Sequence, residues 1–267
     1  MPDFPEVEVH IFDYAGLGDK GQYHWIQNRM EAPYWRIYWN DTPGGFVKVN
    51  NLETKLTPDK VVVLSPCTTY STRLVNPVGH FYVHCSAGRP FSLIPPQLFE
   101  LRDPELVRLA AATACYAISA HNNYRTQMRL HIYVCSVLLA LPSASIPAYT
   151  QYDPRISLAI TTLENNMRKS NTELAGMVNM STNGFLQLFK QETGISPQAY
   201  SMGKRLQDAA IMLHITKNSI EEIAIETGFI DRYHFSRAFS KKYGLGPAEF
   251  RKSDLPLKDH HENITQE

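Results

Sequence analysis

The sequence predicts an α+β chain: an N-terminal β-barrel with a helical pair, followed by an all-α part of two helix-turn-helix units joined by a linking helix. Three observations carry that reading. The first hundred residues alternate apolar and polar side chains in short runs, two long segments with one apolar face follow, and the last third repeats itself after about fifty residues.

The strand rhythm runs through Glu6 to Ile11, Trp35 to Trp39, Phe46 to Val49, Lys60 to Leu64 and Phe81 to Cys85. Turn residues at Asp41 to Gly45, Thr57 to Asp59 and Asn76 to Gly79 break it. Many short strands at that spacing predict a small barrel or sandwich. Alternation then sorts side chains by face. Tyr34, Arg36 and Tyr38 oppose Trp35, Ile37 and Trp39, and His80, Tyr82 and His84 oppose Phe81, Val83 and Cys85. The apolar sets should be core, and the polar sets should line an interior cavity together with His24, Trp25 and Arg29.

Pro104 to His121 and Arg125 to Leu141 carry apolar stripes at helical spacing and are divided by Asn122-Asn123. Pro142 to Gln151 has no periodicity and reads as a linker, after which Asp153 and Pro154 supply a cap and a first helical residue. The expected division is 1–141, a linker at 142–152, a helical unit at 153–253 and a polar tail at 254–267.

Within the helical unit, Ser170/Glu173 and Ser219/Glu222 have capping-box spacing, so both copies start a helix in the same register. Asn179 and Gly228 are residue types that enter left-handed backbone most easily, as a sharp inter-helix turn requires. Phe185, Leu188 and Phe189, and likewise Phe235, Ala238 and Phe239, bury one face of a second helix. The opposite face is left with Asn183, Gln187 and Lys190 in one copy and Arg232, Tyr233, Ser236, Arg237 and Lys241 in the other. The copies are offset by 49 residues before the turn and 50 after it, which implies one inserted turn residue. Ser196 to His214 reads as the linking helix, with Met202, Leu206, Ala209, Ala210 and Leu213 along one side. Two short helices with polar outer faces, rigidly linked, suit successive major grooves of a duplex about 34 Å apart. Gly184 is expected in the middle of the first of them, at a cost of roughly 1 kcal/mol relative to Ala.

Composition agrees with two soluble globular parts. The formal charge is zero over 267 residues, yet residues 153–253 hold 13 Lys and Arg against 10 Asp and Glu, while the tail holds 1 against 4. The excess positive charge sits on the helical unit. The chain opens with no leader and contains no run of 18 apolar residues, so a cytoplasmic location without membrane insertion is expected. Cys67, Cys85, Cys115 and Cys135 lack CxxC spacing and are expected to be buried free thiols. No GxSxG, P-loop or GxGxxG occurs, and His80 and His84 share a face without an HxH or a nearby carboxylate before Glu100. No enzyme activity, catalytic residue, cofactor or metal is therefore expected.

The stretches FLQLFKQETGISPQAY (185–200) and YHFSRAFSKKYGLGPAEF (233–250) make residues 153–253 resemble the DNA-binding domain of AraC/XylS-type transcription regulators. One departure is Leu186-Gln187, where that family often has a polar residue followed by Arg. LTPDKVVVLSPCTTYS followed by GHFYVHC resembles the cupin-like sensor half of the same family. The resemblance implies sequence-specific binding of double-stranded promoter DNA, with contacts from Asn183, Gln187, Lys190, Arg232, Tyr233, Ser236, Arg237 and Lys241. It also implies a homodimer paired through the helical pair, and contact with RNA polymerase if the protein is an activator. For the barrel, aromatic faces that stack on sugar C–H groups and Arg or His donors that meet hydroxyls suggest a saccharide effector held by Arg29, Arg36, Tyr38, His80, Tyr82 and His84. By strand rhythm, Arg29, His80 and Tyr82 fall where an arabinose-responsive member holds its sugar. The alternative is a barrel that serves only dimerisation or responds to a protein partner.

Overall fold

The computed structural model describes residues 6–18, 27–119, 123–148, 152–165 and 169–253. His24, Trp25, residues 149–151 of the linker and the tail at 254–267 lie outside them. The chain divides into a unit ending at Tyr149 and a second unit, Thr150–Ser253.

The first unit consists of β1 (Val7–Leu17), β2 (Gln27–Met30), β3 (Trp35–Asn40), β4 (Gly45–Val49), β5 (Leu52–Lys55), β6 (Val61–Leu64), β7 (Tyr70–Leu74), β8 (Val78–Ala87) and β9 (Leu98–Leu101). Two helices follow, α1 (Pro104–Ser119) and α2 (Tyr124–Leu139). The strands do not close into the expected single barrel. They form two antiparallel sheets, β1-β8-β3-β6-β9 and β2-β7-β4-β5. The alternation in β3 and β8 nevertheless sorts the side chains as expected. Trp35, Ile37, Trp39, Phe81, Val83 and Cys85 pack with Leu106, Ala110, Leu130, Val134 and Leu138 of α1 and α2. The other face of the same strands contributes Tyr38 and Tyr82 to a second core with Val47 of β4 and Tyr70 of β7. The five-stranded sheet is thus covered on both faces, which is why all six residues of β3 are buried.

One polar clasp holds the end of the β3–β8 pair. Asp41 accepts from the Tyr14 hydroxyl at 2.5 Å and from the Gly79 amide at 2.7 Å. A Cβ at Gly79 would come within 1.9 Å of the Tyr14 hydroxyl, so a side chain there would displace the Tyr14–Asp41 contact. Burial, with the Asp41 carboxylate second, pushes the Tyr14 phenol up to about 12.

The cysteines depart from expectation. None of the four is in a disulfide, but only Cys85 is buried; Cys67, Cys115 and Cys135 are exposed. Burial drives the Cys85 thiol well above the usual range.

The second unit contains α3 (Pro154–Asn165), α4 (Asn171–Met177), α5 (Thr182–Thr193), α6 (Pro197–Ile215), α7 (Ile220–Glu226), α8 (Arg232–Tyr243) and α9 (Pro247–Ser253). Both capping boxes are formed, with Ser170 and Ser219 accepting from the amides of Glu173 and Glu222, whose carboxylates return to the cap amides. In α4 those bonds, the backbone one foremost, draw the Glu173 carboxyl down to about 2. Asn179 and Gly228 both adopt positive φ, 53° and 83°. Gly184 is not mid-helix: it lies in the first turn of α5, where its amide donates to the Ser181 cap at 3.2 Å. The interior glycine penalty does not apply there.

The repeat is also longer than the two helix-turn-helix segments. Ile156, Ala159 and Leu163 of α3 pack on Leu174, Ala175, Phe185 and Phe189. Leu206, Ala209 and Leu213 of α6, each fifty residues later, pack on Ile223, Ala224, Phe235 and Phe239. Each copy is therefore a three-helix unit, and α6 is both linker and first helix of the second copy.

The left-handed turn yields a stability prediction. Asn179→Gly should leave the helical unit within about 0.5 kcal/mol of the parent, while Asn179→Ala should cost on the order of 1–2 kcal/mol, read from urea midpoints at constant m. Equal midpoints for the two variants would show that φ at this position does not limit stability.

Candidate functional site

Two sets of side chains stand out, one on the helical unit and one inside the sheet unit. On α5 and α8, successive residues advance by about 100°. Buried Phe185 and Phe189, or Phe235 and Phe239, point one way. The opposite direction is occupied by Asn183, Gln187 and Gln191 in α5 and by Tyr233, Arg237 and Lys241 in α8, all exposed. Gln191 is not among the residues the sequence pattern singles out, although its counterpart at an offset of fifty, Lys241, is. Lys190 and Arg232 are also exposed, whereas Ser236 is half-buried beside Phe235. Arg232 is the first residue of α8, and its rotation places it nearer the buried edge than Arg237.

Both helices are aimed by their caps. Ser181 accepts from the Gly184 amide, and Asp231 accepts from the His234 amide at 2.7 Å. Both end on a left-handed glycine, Gly194 and Gly244. The second copy has additional ties to α6: Arg205 donates to the Gly228 carbonyl of the turn, and Lys242 at the end of α8 donates to the Gly203 carbonyl at 2.9 Å. The copies differ in charge. The outer face of α8 carries Arg237 and Lys241, with exposed Arg232 toward its edge, whereas that of α5 is neutral apart from Lys190. Exposed short helices of this kind can place amides and guanidinium groups against base edges and phosphates.

The second set lies on the inner face of the five-stranded sheet. The β3–β8 register pairs Arg36 with His84, Tyr38 with Tyr82 and Asn40 with His80. Five of the six ligand candidates, Arg36, Tyr38, His80, Tyr82 and His84, are therefore brought together. For Arg29 only the backbone, in β2, is described. These groups are deeply buried: Arg36 is 2% exposed, His80 3% and His84 2%. The Arg36 guanidinium lies 5.1 Å from the Tyr34 ring centre and 5.0 Å from that of Tyr70. The Tyr38 and Tyr70 hydroxyls are 2.9 Å apart. His80 and Tyr82 stack at 5.7 Å.

Burial holds the His80 imidazole down to about 3, so the ring is neutral. Its Nδ1–H donates to Asn40 Oδ1 at 2.7 Å, which leaves Nε2 as the acceptor nitrogen. Asn40 is fully buried, and its Nδ2 has no hydrogen-bond partner among the described residues. Asn40 and Tyr70 escape the sequence reading. Asn40 is two residues beyond Tyr38 on the same face and could have been found; Tyr70 belongs to the other sheet and carries no such signal. No cluster of three or more potential metal ligands occurs among the described residues, and no described helix is long and apolar enough to cross a membrane.

Residues 174–253 match the family described as helix-turn-helix domain. The regulator MtrA of Neisseria gonorrhoeae is 35% identical over 80 residues, which is 30% of this chain and 27% of that protein. The arabinose operon regulatory protein of Escherichia coli is 31% identical over 102 residues, 37% of this chain and 35% of that protein. The matched segments thus span about a quarter to a third of those relatives' lengths. A crystal structure of apo ToxT from Vibrio cholerae shares the fold, with TM-score 0.50 and 11% identity over 93% of this chain and 96% of that one.

The neutral buried His80 sets a pH dependence. The unfolded chain takes up a proton below about 6.5, whereas the folded ring resists it until about 3. Stability from this group is therefore present above pH 6.5 and lost as pH falls toward 3. Melting of the sheet unit should shift downward between pH 7.5 and pH 5, and His80→Gln should remove most of that shift. An unchanged shift in the variant would assign the acid sensitivity to other groups.

Proposed function

We propose, from the premise that this chain is a DNA-binding transcription regulator of the AraC type, that its sheet unit is a cupin-like sensor of a small polyhydroxylated molecule such as a sugar. The observation that carries the sensing step is the buried polar cluster of Arg36, Tyr38, Asn40, His80, Tyr82 and His84. A sheet interior gains nothing from an Asn40 amide donor without a partner, which costs on the order of 1–3 kcal/mol. A ligand hydroxyl would satisfy that donor, with aromatic rings beside it to stack on the carbon skeleton. The arabinose operon relative, matched over 37% of this chain, supports a saccharide as the class to try first. The chain acts on DNA and carries out no chemistry.

DNA contact is assigned to Asn183, Gln187, Gln191 and Lys190 of α5 and to Arg232, Tyr233, Arg237 and Lys241 of α8, with Ser236 at the edge. Arg237 is the residue best placed to meet a guanine edge bidentately or to clamp a phosphate. Arg237→Ala should weaken specific binding by roughly 1–3 kcal/mol in a gel-shift titration, and Gln187→Ala by less. A change under twofold for Arg237→Ala would remove that assignment.

The sensing step is tested by calorimetry and thermal melting of the full chain against a monosaccharide panel. A saturating ligand should raise the sheet-unit melt by the equivalent of about 2.7 kcal/mol at a hundredfold excess over Kd, and Arg29→Ala or Tyr82→Ala should abolish the rise. A panel without heat or shift would favour the second reading, in which the sheet unit serves only to pair protomers. One observation supports such pairing in either case. Tyr124, Met128, Ile132 and Leu139 of α2 are all exposed and fall along one side of the helix, Leu139 at 81%. Leu139→Glu should convert a dimer to a monomer in sedimentation equilibrium; a variant that sediments like the parent would place the interface elsewhere.

A further inference from the structure

The extra residue in the second turn can be located. In the first copy the Met180 amide returns to the Ala175 carbonyl at 3.0 Å, and in the second the Phe229 amide returns to the Ala224 carbonyl at 2.8 Å. These bonds are equivalent, forty-nine residues apart. In the first copy Ser181, the cap of α5, follows Met180 directly. In the second, Ile230 stands between Phe229 and the cap Asp231. Ile230 is thus the inserted residue. It is 87% exposed, the most exposed large apolar side chain among the described residues, and Tyr233 in the first turn of α8 is 81% exposed.

The insertion is not needed for packing, because the first copy makes the same turn without it and Phe229 already fills the core. A single exposed isoleucine elsewhere on a surface would require no account. This one stands at the N-terminal tip of the helix whose outer face is basic through Arg237 and Lys241. It is the N-terminal end of a recognition helix that meets base edges. In the major groove the apolar group a base edge presents is the thymine C5 methyl.

We propose that Ile230 is a specificity-determining residue that packs on a thymine methyl, so that the half of the DNA site read by α8 carries a thymine which the half read by α5 does not select in this way. The proposal rests on the reading of α8 as a recognition helix. The insertion lengthens the tip by one residue and gives it an apolar end. The discrimination comes from burying a methyl group against the isoleucine side chain.

The test uses the full chain and a pool of duplexes with a randomised core. Selection with the parent should enrich a sequence with a fixed thymine close to the position whose preference Arg237→Ala relaxes or weakens. Selection with Ile230→Ala should enrich the same sequence with the thymine position alone relaxed. Replacing that thymine by uracil, which removes only the methyl, should weaken the parent about fourfold and leave Ile230→Ala unchanged. A thymine preference that persists in Ile230→Ala, or a parent indifferent to uracil at every thymine, overturns the proposal. So does an Ile230→Ala chain that binds DNA like the parent yet fails in transcription in vitro, since the residue would then face a protein. A parent that enriches no sequence overturns the recognition-helix reading itself, and the two failures are thereby distinguished. Ile230→Ser repeats the measurement with a polar side chain and should match Ile230→Ala.

Discussion

Each of the helices α5 and α8 takes its direction from a single residue in left-handed backbone. Asn179 and Gly228 reverse the chain within one residue, and the following amide returns to the carbonyl of Ala175 or Ala224 to lock the reversal. That bond fixes the exit of α5 and α8 relative to α4 and α7, and only at that angle do Phe185 and Phe189, or Phe235 and Phe239, enter the cores completed by α3 and α6. Side chains on the far side then project outward because the phenylalanines have used the near side. Glycine satisfies this constraint at no steric cost and asparagine at a small one.

The two copies share this frame but not their chemistry. The outer face of α5 offers Asn183, Gln187 and Gln191, groups that both donate and accept, whereas α8 offers guanidinium and ammonium groups. With Lys190 as its one cation, the α5 face contributes less to counterion release than α8, so the salt dependence of DNA binding under the proposed reading should reside mainly in the second copy. The helical unit carries only a modest excess of positive charge. Placed contacts therefore have to supply more of the affinity than bulk attraction does.

The helical unit is legible in the sequence because its determinants are local: caps three residues apart, a left-handed residue, phenylalanines four apart. The role of α3 is hidden, since its apolar positions match α6 only when α6 is taken as a first helix and not as a spacer. In the sheet unit β2, β5, β7 and β9 leave no clear signal. β5 is mostly exposed and polar, so it lacks the alternation that a strand packed on a core acquires. Whether strands close into one barrel or split into two sheets depends on long-range pairing that alternation does not encode. The cysteines mislead for a simpler reason. Cys115 and Cys135 adjoin buried Ala114 and Val134, but on a helix adjacent residues point about 100° apart, so an apolar neighbourhood in sequence is not burial. The cluster of ligand candidates is half legible: the shared face follows from period two, while the cross-strand pairs with β3 need the register.

That register also bears on how a signal could leave the cluster. β3 and β8 present Arg36, Tyr38, His80, Tyr82 and His84 on one face and Trp35, Ile37, Phe81 and Val83 on the other. The two sets alternate along the same backbone, so a strand cannot shift to accommodate a ligand on one face without moving the side chains that pack on α1 and α2. Close-packed interiors do not absorb such shifts by smooth deformation; they repack. The α2 face bearing Met128 and Ile132 is the reverse of the face that packs on the sheet through Leu130 and Val134. A ligand with different affinity for two arrangements of β3 and β8 would therefore bias the geometry of that outer stripe, and the helix, not the linker, is the element whose position both the cluster and a pairing surface would share.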